Sequence, residues 1–210
     1  MCKLSKNKAL GYLTLLAVAL LTAGRSLIFL LPQVEFSQLF YLLSQLSAAL
    51  SCGLWLLGRI FDELLHKNRA EIFRYAASAF GLLGFAMGLM HLIINPLSGI
   101  TLAVDIAFAL FALVWTIFIY LTTVSKKGAR AALWSLSICS AASLALFCAA
   151  FALDVYNGFI YLPSDAVFLY ALMLLMETLG LFAPVIYALY ESLSRLRAQY
   201  KKPSAPRRPE

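Results

Sequence analysis

The chain has 210 residues, of which 62% are hydrophobic and only 13% are charged, and its formal net charge is +7. Soluble globular domains are about half apolar and about a quarter charged, so this composition excludes an ordinary water-soluble fold. The positive charge does not indicate a nucleic-acid partner, because the Lys and Arg residues lie in short patches between apolar runs. The composition predicts one compact membrane domain.

All but one of the 17 Lys and Arg residues fall in four patches. The patches are Lys3 to Lys8, Arg59 to Arg74, Lys126 to Arg130 and Arg195 to Arg208. Between consecutive patches there is room for two membrane crossings, and loops rich in Lys and Arg stay in the cytoplasm. The spacing therefore predicts an even number of crossings, with every basic patch and both termini on the cytoplasmic side.

Six stretches have the length of about 20 mostly apolar residues that a transmembrane helix needs. In chain order they are Ala9 to Leu31, Phe36 to Leu57, Ile72 to Ile94, Ile100 to Val124, Ala131 to Leu153 and Ala166 to Tyr190. The first stretch is too long for a secretory signal, so we expect an uncleaved first helix. The outer turns, Pro32 to Glu35, Asn95 to Gly99 and Asp154 to Asp165, contain no Lys or Arg.

The predicted fold is thus an all-α integral membrane bundle of six transmembrane helices. Residues 1–190 would form the transmembrane domain. Residues 191–210 would form a basic cytoplasmic tail. Its first half is expected to continue the sixth helix or to lie on the membrane surface, and its Pro-rich end is expected to be disordered.

Three of the predicted helices carry stripes of small residues. Small side chains let helix backbones approach closely in a membrane, so we predict that these helices lie in the middle of the bundle. We expect the glycine stripe, which includes a GxxxG, to pack within the chain and not in a dimer. The stripes are Ser44, Ser47 and Ser51 in the second helix, Gly81, Gly84 and Gly88 in the third, and Ser137, Ala141, Ala145 and Ala149 in the fifth.

Four ionisable side chains interrupt the apolar runs, and three of them share one depth. Arg25, His91 and Asp105 each lie about 7–10 Å below the outer surface, at about 1.5 Å per helical residue. A charge inside a membrane is costly, so such residues usually face the bundle interior and often mark a site. They predict a substrate-binding pocket in which Arg25 or His91 binds an anionic group and Asp105 a cationic one. The alternative is an ion pair of Arg25 with Asp105 that only joins two helices.

Glu177 is the fourth, about 18 Å deep and near the midplane of a hydrocarbon core of about 30 Å. Pro184 has no N–H, so the carbonyl of Gly180 loses its usual helical partner one turn from this carboxyl group. A carboxyl group beside a free carbonyl predicts a proton or cation site made of Glu177, Gly180 and Pro184. The alternative is a protonated Glu177 with a structural role.

No motif for catalysis, metal binding or a cofactor is present. The four Cys residues form no CxxC or Cys/His cluster, and metalloprotease, nucleophile-elbow and phosphate-loop patterns are absent from the sequence. We therefore expect no enzyme activity, metal or cofactor, although an intramembrane enzyme stays open as a third alternative.

Two functional hypotheses follow from the ionisable residues and the basic patches. The first is a small-solute transporter, or the membrane capture subunit of an importer, in a bacterial plasma membrane. The second is a non-transporting scaffold or partner subunit. In the second, the basic loops and tail bind a cytoplasmic or membrane subunit and anionic lipid head groups.

Overall fold

The computed structural model describes residues 12–13, 15–17, 19–20, 22–23, 36–64, 67–95, 99–124, 129–161 and 164–201. The described residues lie in α-helices or in the turns that end them, in agreement with the predicted all-α fold. Helix α1 is described at residues 12–13, 15–17, 19–20 and 22–23. The five helices that follow are α2 (Phe36–Glu63), α3 (Lys67–Ile94), α4 (Gly99–Val124), α5 (Ala129–Tyr161) and α6 (Ser164–Lys201).

Among the described residues, four helices contain a segment long and apolar enough to cross a membrane. These segments are Leu39–Glu63, Ala70–Ile94, Gly99–Val124 and Arg130–Asn157. They are compatible with a multi-pass membrane protein, which the composition predicts.

Several helices extend past the apolar runs that predict them. Helix α5 continues to Tyr161 and α6 begins at Ser164, so the long outer turn predicted from Asp154 to Asp165 is wrong. Helix α6 also continues without a break to Lys201. Hydropathy reports the part of a helix that suits lipid, whereas the helix itself ends only where the backbone hydrogen-bonding pattern ends.

The helices from α2 to α6 pack against their neighbours in chain order, and α6 packs back against α2. Helix α1 joins this ring through Leu15 and Leu16, which pack against the buried core. Helix α4 is the most buried of the four apolar segments. Its Trp115 and Phe118 rings lie 6.1 and 5.6 Å from the Trp55 ring of α2, so the centre of the bundle is aromatic.

The glycine stripe of α3 packs against the serine stripe of α2, within the chain as predicted. The Ser44 hydroxyl donates to the Gly84 carbonyl at 2.7 Å, and the Ser51 hydroxyl donates to the Ala77 carbonyl at 2.5 Å. A Cβ atom at Gly84 would lie 3.3 Å from both the Ala48 nitrogen and the Ser44 carbonyl oxygen. Glycine therefore permits the close approach that these interhelical hydrogen bonds need.

The small-residue stripe predicted for the fifth helix is not an interior face. Ser137 is buried, but Ala141, Ala145 and Ala149 are exposed. Alanine fits a lipid-facing surface as well as a helix contact, which is why the prediction was wrong. The buried face of α5 consists instead of residues spaced alternately three and four apart, Leu133, Leu136, Ser140, Ser143 and Phe147.

Candidate functional site

Two groups of polar side chains lie at opposite ends of the helix bundle. We call them the His91 end, where α3 finishes and α4 begins, and the Arg59 end, where α2 finishes and α3 begins. Because α6 runs parallel to α2 in the alternating order of the helices, its last turns belong to the Arg59 end.

At the His91 end, an imidazole and a carboxylate meet between two apolar segments. His91 lies in the last turn of α3 and Asp105 in the second turn of α4. The His91 Nε2 and Asp105 Oδ2 atoms are 3.3 Å apart, and each residue is only 7% exposed. Asp105 shares the buried face of α4 with Ala109 and Ala112. The structure therefore brings two of the three residues predicted at this depth into direct contact.

Asn95 fixes the orientation of the His91 ring. The Asn95 side-chain nitrogen lies 2.7 Å from His91 Nδ1. An amide NH₂ group can only donate, so Nδ1 accepts, and the ring proton is on Nε2, directed at Asp105. A second proton on the ring would turn Nδ1 into a donor. Asn95 would then have to rotate its amide and present the oxygen instead, so protonation of the ring would reverse the direction of the hydrogen bond between His91 and Asn95.

The aromatic ring of Tyr41 covers His91 from α2, with the two ring centroids 5.0 Å apart. Tyr41, His91 and Asp105 therefore come from three different helices. The third predicted residue, Arg25, and its predicted ion pair with Asp105 lie outside the described residues. Thr22, three residues before Arg25 in the sequence, is buried.

The predicted proton or cation site in α6 is described only in part. The backbone of Glu177 is helical, and its side chain is outside the described part of the structure. Gly180 and Pro184 are buried. The Pro184 carbonyl faces the thiol of Cys52 in α2, at 3.9 Å from Sγ. The role of Glu177, Gly180 and Pro184 stays a prediction.

A cluster of charged residues that was not predicted from the sequence lies at the Arg59 end. Glu191 of α6 is 5% exposed and accepts a hydrogen bond from Arg195 Nε at 2.7 Å. Arg59 of α2 faces the same carboxylate, with its Nε 3.7 Å away. A second pair joins Arg74 of α3 to Asp62 of α2. The cluster links α2, α3 and α6.

Two of these arginines also enclose an indole ring. The guanidinium carbons of Arg74 and Arg195 lie 5.8 and 5.3 Å from the ring centroid of Trp55. Cation–π contacts of this kind are worth about 2 kcal/mol when they are desolvated. On α1, the Tyr12 hydroxyl donates to Glu63 at 3.3 Å. The Arg59 end is therefore joined across four helices.

A narrow apolar crevice lies between α1, α2 and α6, and it touches neither His91 nor Asp105. It is lined by Leu15, Ala19, Ala49, Cys52, Gly53, Leu56, Ala183, Pro184 and Tyr187. Among the described residues, no group of three or more His, Cys, Asp and Glu side chains could hold a metal ion. The chain matches no family model, no curated protein and no solved structure.

Proposed function

We propose that the protein is a carrier of a small solute in a bacterial plasma membrane, and that the His91–Asp105 pair is its proton-linked site. The observation that supports this is the buried contact of 3.3 Å between an imidazole and a carboxylate on two apolar segments. Ionisable residues at such positions are expensive to insert and frequently serve proton relays. The pair can gain or lose a proton while both side chains keep a hydrogen-bond partner.

The proposal includes six crossings with both termini in the cytoplasm. Its support is the distribution of the basic patches, which all fall at the same end of alternating helices. In this orientation, the His91 end faces outward and the Arg59 end faces the cytoplasm. The charged cluster at the Arg59 end then closes the cytoplasmic side, because it joins helices that would have to separate to open a path.

The proposed chemistry is an exchange of partners at Asp105. A cationic group on the solute would replace the His91 N–H as the partner of the Asp105 carboxylate, while Arg25 or the freed imidazole would bind an anionic group. The exchange would release His91 to take up a proton at Nδ1, with rotation of the Asn95 amide. Glu177, with Gly180 and Pro184, is proposed as a second proton or cation site on the way to the cytoplasm.

One observation favours the scaffold as a second candidate. The crevice that the described residues form is apolar, and it lies away from His91 and Asp105. In a scaffold the pair would only join α3 to α4. The basic loops and tail would then bind anionic lipid head groups or a partner subunit.

Uptake into proteoliposomes distinguishes the two candidates. Purified protein would be reconstituted, and a panel of labelled amino acids, vitamins and small organic cations would be supplied under an inward proton gradient. We expect uptake of one solute class by the wild type and none by Asp105→Asn, whose amide oxygen can still accept from His91 and preserve the fold. The matched control is Asp154→Asn, because Asp154 is an exposed carboxylate near the end of α5. A folded wild type that takes up nothing from the panel would favour the scaffold.

A further inference from the structure

Six aromatic side chains of the described residues are exposed on the surface of the bundle, and they lie only near its two ends. Four lie at the Arg59 end, one on each helix from α3 to α6, and each carries a polar atom: Tyr75, Tyr120, Trp134 and Tyr190. Tyr156 of α5 and Phe168 of α6 lie at the His91 end. Between these two aromatic groups, the large exposed side chains that the structure describes are those of Leu, Ile and Met. The surface of the bundle is therefore sorted by chemistry along its length.

The two aromatic groups are the same distance apart on two different helices. Trp134 and Tyr156 are 22 residues apart on α5, and Phe168 and Tyr190 are also 22 residues apart on α6. At about 1.5 Å per residue this is about 33 Å, which a helix tilt of about 20° shortens to about 31 Å along a membrane normal. The hydrocarbon core of a bilayer is about 30 Å thick. Two helices thus independently give the thickness of this core.

The His91–Asp105 contact connects the levels of α3 and α4. Tyr75 lies 16 residues before His91, and Tyr120 lies 15 residues after Asp105. Both tyrosines are therefore about 22–24 Å from the contact, in the direction of the Arg59 end. They lie at one level of the bundle.

The other two aromatic residues at the Arg59 end are connected through a hydrogen bond. The Ser137 and Ser192 hydroxyl oxygens are 2.8 Å apart and join α5 to α6. Trp134 is three residues from Ser137, and Tyr190 is two residues from Ser192, so each lies within one turn of this contact. The group on α5 and α6 is thus also confined to a narrow level.

We infer that the two groups of exposed aromatic side chains bind the two polar boundaries of a lipid bilayer and thereby set the depth of the protein in it. Tyr and Trp combine an apolar ring with a polar tip, and they are enriched where hydrocarbon meets head groups. The basic patches beyond the Arg59 end fit anionic head groups on that side. The inference rests on the membrane insertion in the proposed function, and it is independent of solute transport.

The two boundaries give the depths of both polar sites. Asp105 is 15 residues from Tyr120, so it lies about 22 Å from the boundary at the Arg59 end and about 10 Å inside the other boundary. Arg74 and Glu191 each stand next to an exposed tyrosine in the sequence. The charged cluster therefore lies at the head groups, where charges cost less than in hydrocarbon.

The bilayer midplane falls halfway between the two aromatic groups. This is Ala145 in α5 and Leu179 in α6, each eleven residues from both aromatic residues of its helix. Both positions are exposed, so a probe there would face lipid without disturbing the core. Helix α6 does not contain one of the four long apolar segments found among the described residues, so its crossing is an expectation of the aromatic spacing alone.

The test is the depth of Trp134 in the full-length protein, reconstituted in phosphatidylcholine vesicles. The acyl chains would be brominated either near the glycerol or near the chain end, because bromine quenches Trp emission at short range. Trp55 and Trp115 are 1% and 0% exposed, so the difference in quenched emission between wild type and Trp134→Phe belongs to Trp134. Bromine near the glycerol should remove more of this emission than bromine near the chain end.

Matched variants place the same side chain at the midplane. In the Trp134→Phe background, Ala145→Trp and Leu179→Trp should lose more emission to bromine near the chain end. Tyr190→Trp in this background should lose more to bromine near the glycerol, as Trp134 does. All of these positions are exposed, so the unfolding temperature should stay that of the wild type.

The outcomes separate the aromatic boundaries from the rest of the proposed function. The same order of quenching at all four positions, or the reverse of the expected order, would overturn the boundaries. Loss of emission to neither lipid at any position would overturn membrane insertion as well. A protein that takes up nothing from the solute panel should still show the expected depths.

Discussion

Two Gly→Ala substitutions in α2 and α3 should affect stability in opposite directions. Gly84 lies in the seam between the two helices, and an alanine Cβ there would be 3.3 Å from a backbone nitrogen and a backbone oxygen of α2. Gly53 faces the open crevice, and the same Cβ would meet nothing within 4 Å. The chemical change is the same at both positions, so only the surroundings differ.

The expected difference follows from two terms. Replacing Gly by Ala inside a helix favours folding by about 0.8–1.0 kcal/mol at either position. Overpacking of a tight contact costs about 1–3 kcal/mol, and at Gly84 the opposing atoms belong to the backbone and cannot rotate away. Gly53→Ala should therefore raise the free energy of unfolding by about 1 kcal/mol. The free energy of unfolding of Gly84→Ala should be lower than that of Gly53→Ala by about 1–3 kcal/mol.

The assay is reversible unfolding by dodecyl sulfate in mixed micelles, followed by the fluorescence of the three Trp residues. The helix-propensity contribution is the same in both variants and cancels when they are compared. The remaining difference in their free energies of unfolding measures how tightly α2 and α3 pack at Gly84. Equal stabilisation by both substitutions would refute the seam as described.

Three further predictions concern the charged cluster, the midplane carboxyl group and the topology. Glu191→Gln should lower the free energy of unfolding by about 2 kcal/mol. A fully buried pair would lose about 3–5 kcal/mol, but the partners of Glu191 are partly exposed. The control Glu71→Gln, at an exposed position, should leave the free energy of unfolding unchanged, and an equal loss in both variants would contradict the cluster. Glu177→Gln should leave the unfolding curve unchanged and abolish solute uptake. In the wild type, carbodiimide should label Glu177, and a bound cation should block the labelling. If Glu177 is not labelled at any pH, it is a sealed carboxyl group with a structural role. The introduced thiol of Ala205→Cys should react with an impermeant thiol reagent only from the cytoplasmic side. Reaction of this thiol from the outside would contradict the proposed topology.

Hydropathy and small-residue spacing predict much of the fold. The apolar runs locate the helices, because a membrane requires long apolar segments with internally paired backbones. The glycine stripe of α3 predicts close packing within the chain, since glycine permits contacts that larger residues prevent, but the partner helix α2 is known only from the structure. The stripe in α5 was misread, because exposed Ala141 and buried Ser140 are both small. Size alone does not separate a lipid-facing residue from an interior one.

The site was predictable where an ionisable residue interrupts an apolar run. His91 and Asp105 stand out for this reason, and equal depth predicts that they lie near each other. The Arg59 end was missed because Arg59 and Arg74 belong to a basic patch and Glu191 follows the last apolar run, so they were interpreted as loop and tail. Continuation of α6 beyond Tyr190 was one of the two expectations for this segment, and the spacing of Glu191 and Arg195, an acid four residues before a base, favours it.

The proton-linked role of the His91–Asp105 pair is tested most directly by charge movement after a pH jump. Protein reconstituted on a solid-supported membrane would be exposed to a rapid change of pH, and the transient current would be recorded. Proton transfer to sites within the bundle should give a current of equal size in the wild type and in Asp154→Asn. The current should be smaller in Asp105→Asn, where Glu177 remains but the His91–Asp105 pair is lost. A wild-type current that Asp105→Asn retains in full would contradict the account, because the pair would then be only a structural contact between α3 and α4.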